Sequence, residues 1–151
     1  MSLSIAEREK LWDEFLEVWP FERLATMSLG EYTKSQDKDS FCYWLKIKTE
    51  SLGSMWGGSA FKFGIYSRSS TEEKSNGSGH CYSSSHAWLS KYGETPDEAF
   101  DKVRSIVVAI ASASRHGDLN SIESADLGTV TKWKIAFLYQ DREHPCVLPL
   151  L

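Results

Sequence analysis

The sequence predicts a single α+β domain over residues 1–151, an antiparallel sheet of about five strands with helices packed on one side. Three observations lead there. Two segments repeat apolar residues at helical spacing behind clear N-terminal caps. Several short segments alternate apolar and polar residues, or run β-branched and aromatic, as strands do. No internal repeat or linker divides the chain.

The elements follow in order. Ser4 with Glu7 three residues on makes a capping box that starts the first helix. Leu11, Trp12, Phe15, Leu16 and Trp19 share one face of it, and Pro20 stops it. The next stretch mixes short apolar anchors (Leu24, Met27, Leu29) with turn formers, and predicts irregular chain with a helical turn. Residues 41–49, FCYWLKIKT, alternate Phe41, Tyr43, Leu45 and Ile47 against Cys42, Trp44, Lys46 and Lys48, the pattern of a strand. Residues 60–68, AFKFGIYSR, alternate again, with Phe61, Phe63 and Ile65 against Lys62, Gly64, Tyr66 and Arg68. The polar stretch 69–80 predicts a disordered loop. A third strand is expected over 81–92, completing an antiparallel meander.

Thr95, Pro96 and Glu98 occupy N-cap, N1 and N3 of a second helix. Phe100, Val103, Ile106, Val107 and Ile110 form its buried stripe, and Gly117 is its C-terminal stop. A helical turn is expected near Ser121–Ala125. Residues 130–139, VTKWKIAFLY, read as a fourth strand, and Cys146–Leu150 as a fifth.

Charge and composition narrow the function. The net charge of −4 argues against indiscriminate nucleic-acid binding, but the charge is uneven. Residues 4–31 hold seven acids and three bases, whereas residues 41–68 hold four bases (Lys46, Lys48, Lys62, Arg68) and one acid, Glu50. The longest apolar run, Ile106–Ala111, is far short of the roughly 20 residues of a membrane span. The start turns charged at once and has no signal-peptide core, and three cysteines make no disulfide framework. The expectation is a cytoplasmic protein without a membrane partner.

Catalytic signatures are missing. The glycines around GSMWGG have neither Walker A nor G-x-G-x-x-G spacing, so no nucleotide cofactor and no NTPase activity is expected of this chain. His80, Cys81 and His86, or His144 and Cys146, lack the paired spacing of structural zinc sites, and no metal is expected. Ser83, Ser84 and Ser85 beside His86 leave a small metal-dependent or serine hydrolase as an alternative, without a G-x-S-x-G elbow to support it.

What remains is aromatic and basic residues interleaved along the predicted sheet. Lysine and arginine contact phosphates, and exposed rings stack on unstacked bases. The candidates are Trp56, Tyr66 and Trp88 as stacking or pocket residues, with Lys46, Lys48, Lys62 and Arg68 as phosphate contacts. Lys132 and Lys134 line a further predicted face. Lysines on polar strand faces are also ordinary, so a protein-interaction module with an exposed aromatic patch is the alternative. Trp56 has its own two readings: beside Tyr66 and Arg68 it is a recognition residue, beside Phe61 and Phe63 it is packing.

Four stretches carry a resemblance over most of the chain: WPFERLATMSLGEYT, DSFCYWLKIKTESLGSMWGGSAFKFGIYSR, KYGETPDEAFDKVRSIVVAIASA and DLGTVTKWKIAFLYQ. Together they resemble the N-terminal region of McrB-like AAA+ proteins of modification-dependent restriction systems. The resemblance implies a non-catalytic domain that recognises DNA, often at a modified base. It further implies a following AAA+ domain that hydrolyses GTP or ATP, and a nuclease subunit as partner. N-terminal domains of such proteins differ in fold, so the resemblance transfers no binding residue. The acidic net charge fits weak binding that strengthens when an oligomer presents several copies.

Overall fold

The computed structural model describes residues 3–69, 74 and 76–147. Helix α1 (Ile5–Val18) is followed by two single-turn helices, α2 (Phe21–Leu24) and α3 (Leu29–Tyr32). Helix α4 (Phe41–Tyr43) runs on through one π-helical turn, Trp44–Lys48. Short 3₁₀ turns at Glu50–Leu52 and Ala60–Phe63 flank the glycine-rich loop. Strands β1 (Ile65–Ser67), β2 (His80–Tyr82) and β3 (His86–Leu89) come next, then a 3₁₀ turn, Ser90–Tyr92. Helices α5 (Pro96–Arg115), α6 (Leu119–Ser124) and α7 (Thr129–Tyr139) follow.

The predicted helix starts form as their chemistry dictates. Ser4 and Glu7 make the reciprocal capping box of α1. The Thr95 hydroxyl accepts from the Glu98 N–H, with Pro96 at the first position of α5. Gly117 takes the left-handed conformation (φ 69°) just past the end of α5. The expected turn near residue 121 is α6, capped by Asp118.

The α+β class holds, but the sheet has three antiparallel strands among the described residues, in the order β1-β3-β2, and not about five. Residues 41–49 are helical. Phe41, Cys42, Trp44 and Leu45 are buried in pairs three residues apart, a helical spacing that the same sequence also satisfies. Ser40 caps the turn, and Thr49 closes it by donating its N–H and hydroxyl to Trp44 O. Residues 130–139 are helical too. Helix α7 is buried almost all round, so its sequence shows no amphipathic period and resembles a buried strand.

The remaining strand expectations are shortened. Only Ile65–Ser67 of the second segment pairs, because Ala60–Phe63 coils and Gly64 turns at φ 82°. A Cβ on Gly64 would meet Val103 at 2.8 Å, so the close approach of α5 also requires glycine there. The third segment is a hairpin, β2 and β3, with Ser83 at its turn. Cys146 and Val147 are irregular, and Leu148–Leu150 lie outside the described residues, as do positions 70–73 and 75 of the predicted disordered loop.

Helices α5 and α7 pack along each other at the centre, and α5 also covers one face of the sheet. Register assigns the faces. Ile65 and Cys81 both pair with Trp88, and this inner set faces α5; Tyr66 and Tyr82 both pair with Ala87 on the outer face. The core continues through Phe15, Trp19, Tyr32 and Phe41, all fully buried. Among the described residues, no helix is long and apolar enough to cross a membrane.

Candidate nucleic-acid interface

The outer sheet face is aromatic. Tyr66, His80 and Tyr82 stand on it, and Phe61 folds over it from the preceding 3₁₀ turn, all four half-buried. Phe61 stacks on His80 with ring centres 4.0 Å apart and planes 8° from parallel. Tyr66 meets Phe61 edge-on at 5.1 Å and Tyr82 does so at 6.2 Å. Ala87 lies beneath this cluster, fully buried. Two cations rim it, with Arg68 5.7 Å and Lys74 5.6 Å from the Tyr82 ring centre. The Arg68 guanidinium also donates to Ser83 O at 2.6 Å, which ties β1 to the hairpin turn. Burial pushes the Tyr66 phenol above its ordinary pKa, with the Arg68 charge opposing, so the ring meets solvent as a neutral surface.

A second exposed ring stands on the glycine-rich loop. Met55 is 1% exposed and anchors the loop in the core, whereas its neighbour Trp56 is 58% exposed. Among the described residues no ring pair joins Trp56 to Tyr66, Phe61 or Phe63. The Lys46 ammonium sits 4.4 Å from its ring centre. Two lysines hold the loop backbone. Lys62 Nζ donates to Met55 O and, at 3.0 Å, to Gly57 O. Lys134 Nζ donates to Thr49 O at 2.7 Å and to Gly53 O. Burial lowers the pKa of both; the neighbouring Lys46 charge adds to the shift at Lys62, and Lys134 falls to about 7.

The seven candidate residues therefore separate. Tyr66 and Arg68 belong to the aromatic face, and Trp56 with Lys46 to the loop. Lys62 lies between them and is a backbone clamp in place of a phosphate contact. Lys48 pairs with Asp39 at 3.1 Å and covers the Trp44 ring. Trp88 is 3% exposed on the inner sheet face, with its indole N–H given to Gly93 O, so it walls no surface pocket. Lys132 and Lys134 line no exposed face either, since Lys132 is buried and donates to Glu123 O at the end of α6. Phe61, His80, Tyr82 and Lys74 were not among the candidates. Phe61 and Tyr82 carried a signal only as aromatics within predicted strands, and His80 only as a weighed metal ligand.

The other chemistries find less in the geometry. His80 faces outward while Cys81 faces α5, and no cluster of three metal-ligating side chains occurs among the described residues. Ser83 Oγ accepts the His86 N–H at 2.9 Å and so shapes the hairpin turn. A cleft of about 760 Å³ lies where α1, α5 and α7 end, lined by Phe21, Arg115, His116 and Arg142. Its polar lining groups are largely spent within the fold: His116 Nδ1 donates to Ser112 O, Gln140 Nε2 to Phe137 O and Val147 O, and Arg142 pairs with Asp13.

No protein-family model, curated protein or solved structure matches the chain with significance.

Proposed function

We propose that the chain is a non-catalytic DNA-recognition domain that holds bases by stacking. The observation that carries this reading is the outer sheet face: four half-exposed rings, Phe61, Tyr66, His80 and Tyr82, with Arg68 and Lys74 at the rim. Every base has a π-face, and a ring that stacks on it contributes about 1–3 kcal/mol, while rim cations hold the phosphates. Inside a duplex those faces are already occupied, so the favoured ligand is a strand with unpaired or unstacked bases. The resemblance to McrB-like proteins supports DNA and adds modified bases as a ligand class, with an AAA+ domain and a nuclease subunit as the machinery served.

Fluorescence anisotropy with labelled single strands and duplexes, plain and carrying 5-methylcytosine, tests the reading at ~50 and ~200 mM salt. Binding should weaken as salt rises. Tyr82→Ala and Phe61→Ala should each weaken it about 5- to 100-fold while the far-ultraviolet circular dichroism stays that of the parent. Absence of salt-dependent binding to every strand removes the proposal. A preference for the methylated strand supports the modified-base version; equal affinities leave general DNA recognition.

A protein-interaction role has its own observation. Ile5 is 77% exposed at a shallow groove of about 270 Å³ formed with Trp12, Leu52 and Phe137. Ile5→Glu should abolish association with an AAA+ domain supplied in trans, measured by sedimentation, if that groove serves the motor. Unchanged association removes the groove from the interface.

A further inference from the structure

We infer that Trp56 and Lys46 form a second nucleotide contact, held in register with the aromatic face by Lys62. The inference rests on the DNA-binding reading above and concerns how far along a strand that reading extends.

The loop is built to hold its tryptophan outward. Adjacent residues take opposite fates, Met55 buried and Trp56 exposed, although the indole has more apolar area to hide. Gly57 and Gly58 follow with φ of 99° and 72°. A Cβ on either would meet nothing within 4 Å, so their role is to turn the chain and not to let something pack close. The turn is not loose. Lys134 holds Thr49 O and Gly53 O, and Lys62 holds Met55 O and Gly57 O, so the Trp56 peptide lies between two clamped carbonyls. A loop backbone fixed in this way has less conformational freedom to lose when a base stacks on the ring, which favours binding.

Lys46 supplies the charge. Its ammonium lies over one face of the indole, and no carboxylate pairs with it among the described residues. A base can use the opposite ring face, with its phosphate near Lys46. Lys48, two residues on, is already paired with Asp39 and does not compete.

Lys62 joins the two contacts. It follows Phe61 in the same 3₁₀ turn, so one short element sets Phe61 on the sheet face and clamps the Trp56 loop. The turn is itself wedged against the start of α7, where a Cβ on Gly128 would come within 2.7 Å of Lys62 O. Trp56 and Phe61 are five residues apart, and five residues of chain span at most ~18 Å. A single strand of a few nucleotides covers that distance, so one ligand reaches both rings.

The test uses the full chain and labelled oligothymidylates of ~4 and ~10 nucleotides, within the range of site sizes for single-strand binders. Tyr82→Ala should weaken both lengths. Trp56→Ala should weaken the longer strand about 5- to 20-fold and the shorter one less than about 2-fold, because a short strand fills the sheet face alone. Lys62→Met should reproduce the Trp56→Ala pattern, and Lys62→Arg, which can still donate to both carbonyls, should restore the longer strand's affinity. If Trp56→Ala binds the longer strand like the parent while Tyr82→Ala does not, the second contact is refuted and the DNA reading stands. If Lys62→Met also binds like the parent, the register role is refuted. If the parent binds neither strand, the underlying reading fails with it. Should Lys62→Met not fold, the Trp56→Ala comparison carries the test.

Discussion

Lys134 and Lys46 serve the same loop in opposite ways. Lys134 is fully buried in α7 and hands its protons to two backbone carbonyls. Lys46 lies near the surface, with the Trp56 ring as its neighbour and no acidic partner among the described residues. In the sequence both counted as residues of basic sheet faces, Lys46 on the 41–49 segment and Lys134 on a further one. In the structure only one of them offers charge to a ligand, and the other shapes the backbone that presents the ring. The number of lysines in a segment thus says little about its potential until each ammonium's partner is known.

Breaking the inner member of this pair should have the largest effect. Lys134→Ala opens a cavity in the most buried helix and leaves Thr49 O and Gly53 O without donors. About 3–5 kcal/mol of folding stability should be lost, read from urea unfolding. Lys134→Met keeps most of the stem and removes the donors, so a smaller loss of about 1–2 kcal/mol is expected. A methionine variant as stable as the parent would mean that the carbonyl clamp gives no net stabilisation.

The same lysine sharpens the comparison through pH. Burial lowers its folded pKa to about 7 from an ordinary value of 10.5. Between those values the unfolded chain binds the proton more tightly than the folded one, so stability rises with pH there. Below about 7 both states are protonated and this contribution is flat. Unfolding free energies from urea titrations at pH 7, 8 and 9 should climb by at most about 1.4 kcal/mol per unit, and Lys134→Met should flatten the climb. A parent profile as flat as the variant's would place the ammonium in a better-solvated setting than the structure gives it.

The fold was legible where local chemistry is decisive. Ser4 with Glu7 and Thr95 with Pro96 name their helices, because a cap satisfies backbone donors that have no other partner. Residues 41–49 and 130–139 were not legible. In FCYWLKIKT the apolar residues are dense enough to satisfy a period of two or of 3.6, and packing chose the helix. In VTKWKIAFLY two lysines suggested a polar face, yet both are buried as donors to carbonyls. Of the candidate site, Tyr66, Arg68, Trp56 and Lys46 were legible from residue type alone. His80 and Tyr82 were not, since only the pairing of β2 with β3 brings them beside Phe61.

The smallest expected effect comes from the outer member of the pair, and Lys48 is its internal control. Lys46→Ala should change folding stability by less than about 0.5 kcal/mol, as surface substitutions usually do. Its signature should be electrostatic: the slope of log K against log salt for a single strand should fall by about 0.7 if Lys46 meets one phosphate. Lys48→Ala should leave that slope unchanged, because its charge already faces Asp39 and its stem lies against Trp44. Two lysines separated by a single residue would then differ in the salt dependence of binding while being alike in stability. Equal slopes for both variants would mean that the local pairing seen here does not decide which charge meets DNA, and the distinction between clamp and contact would lose its force at the loop.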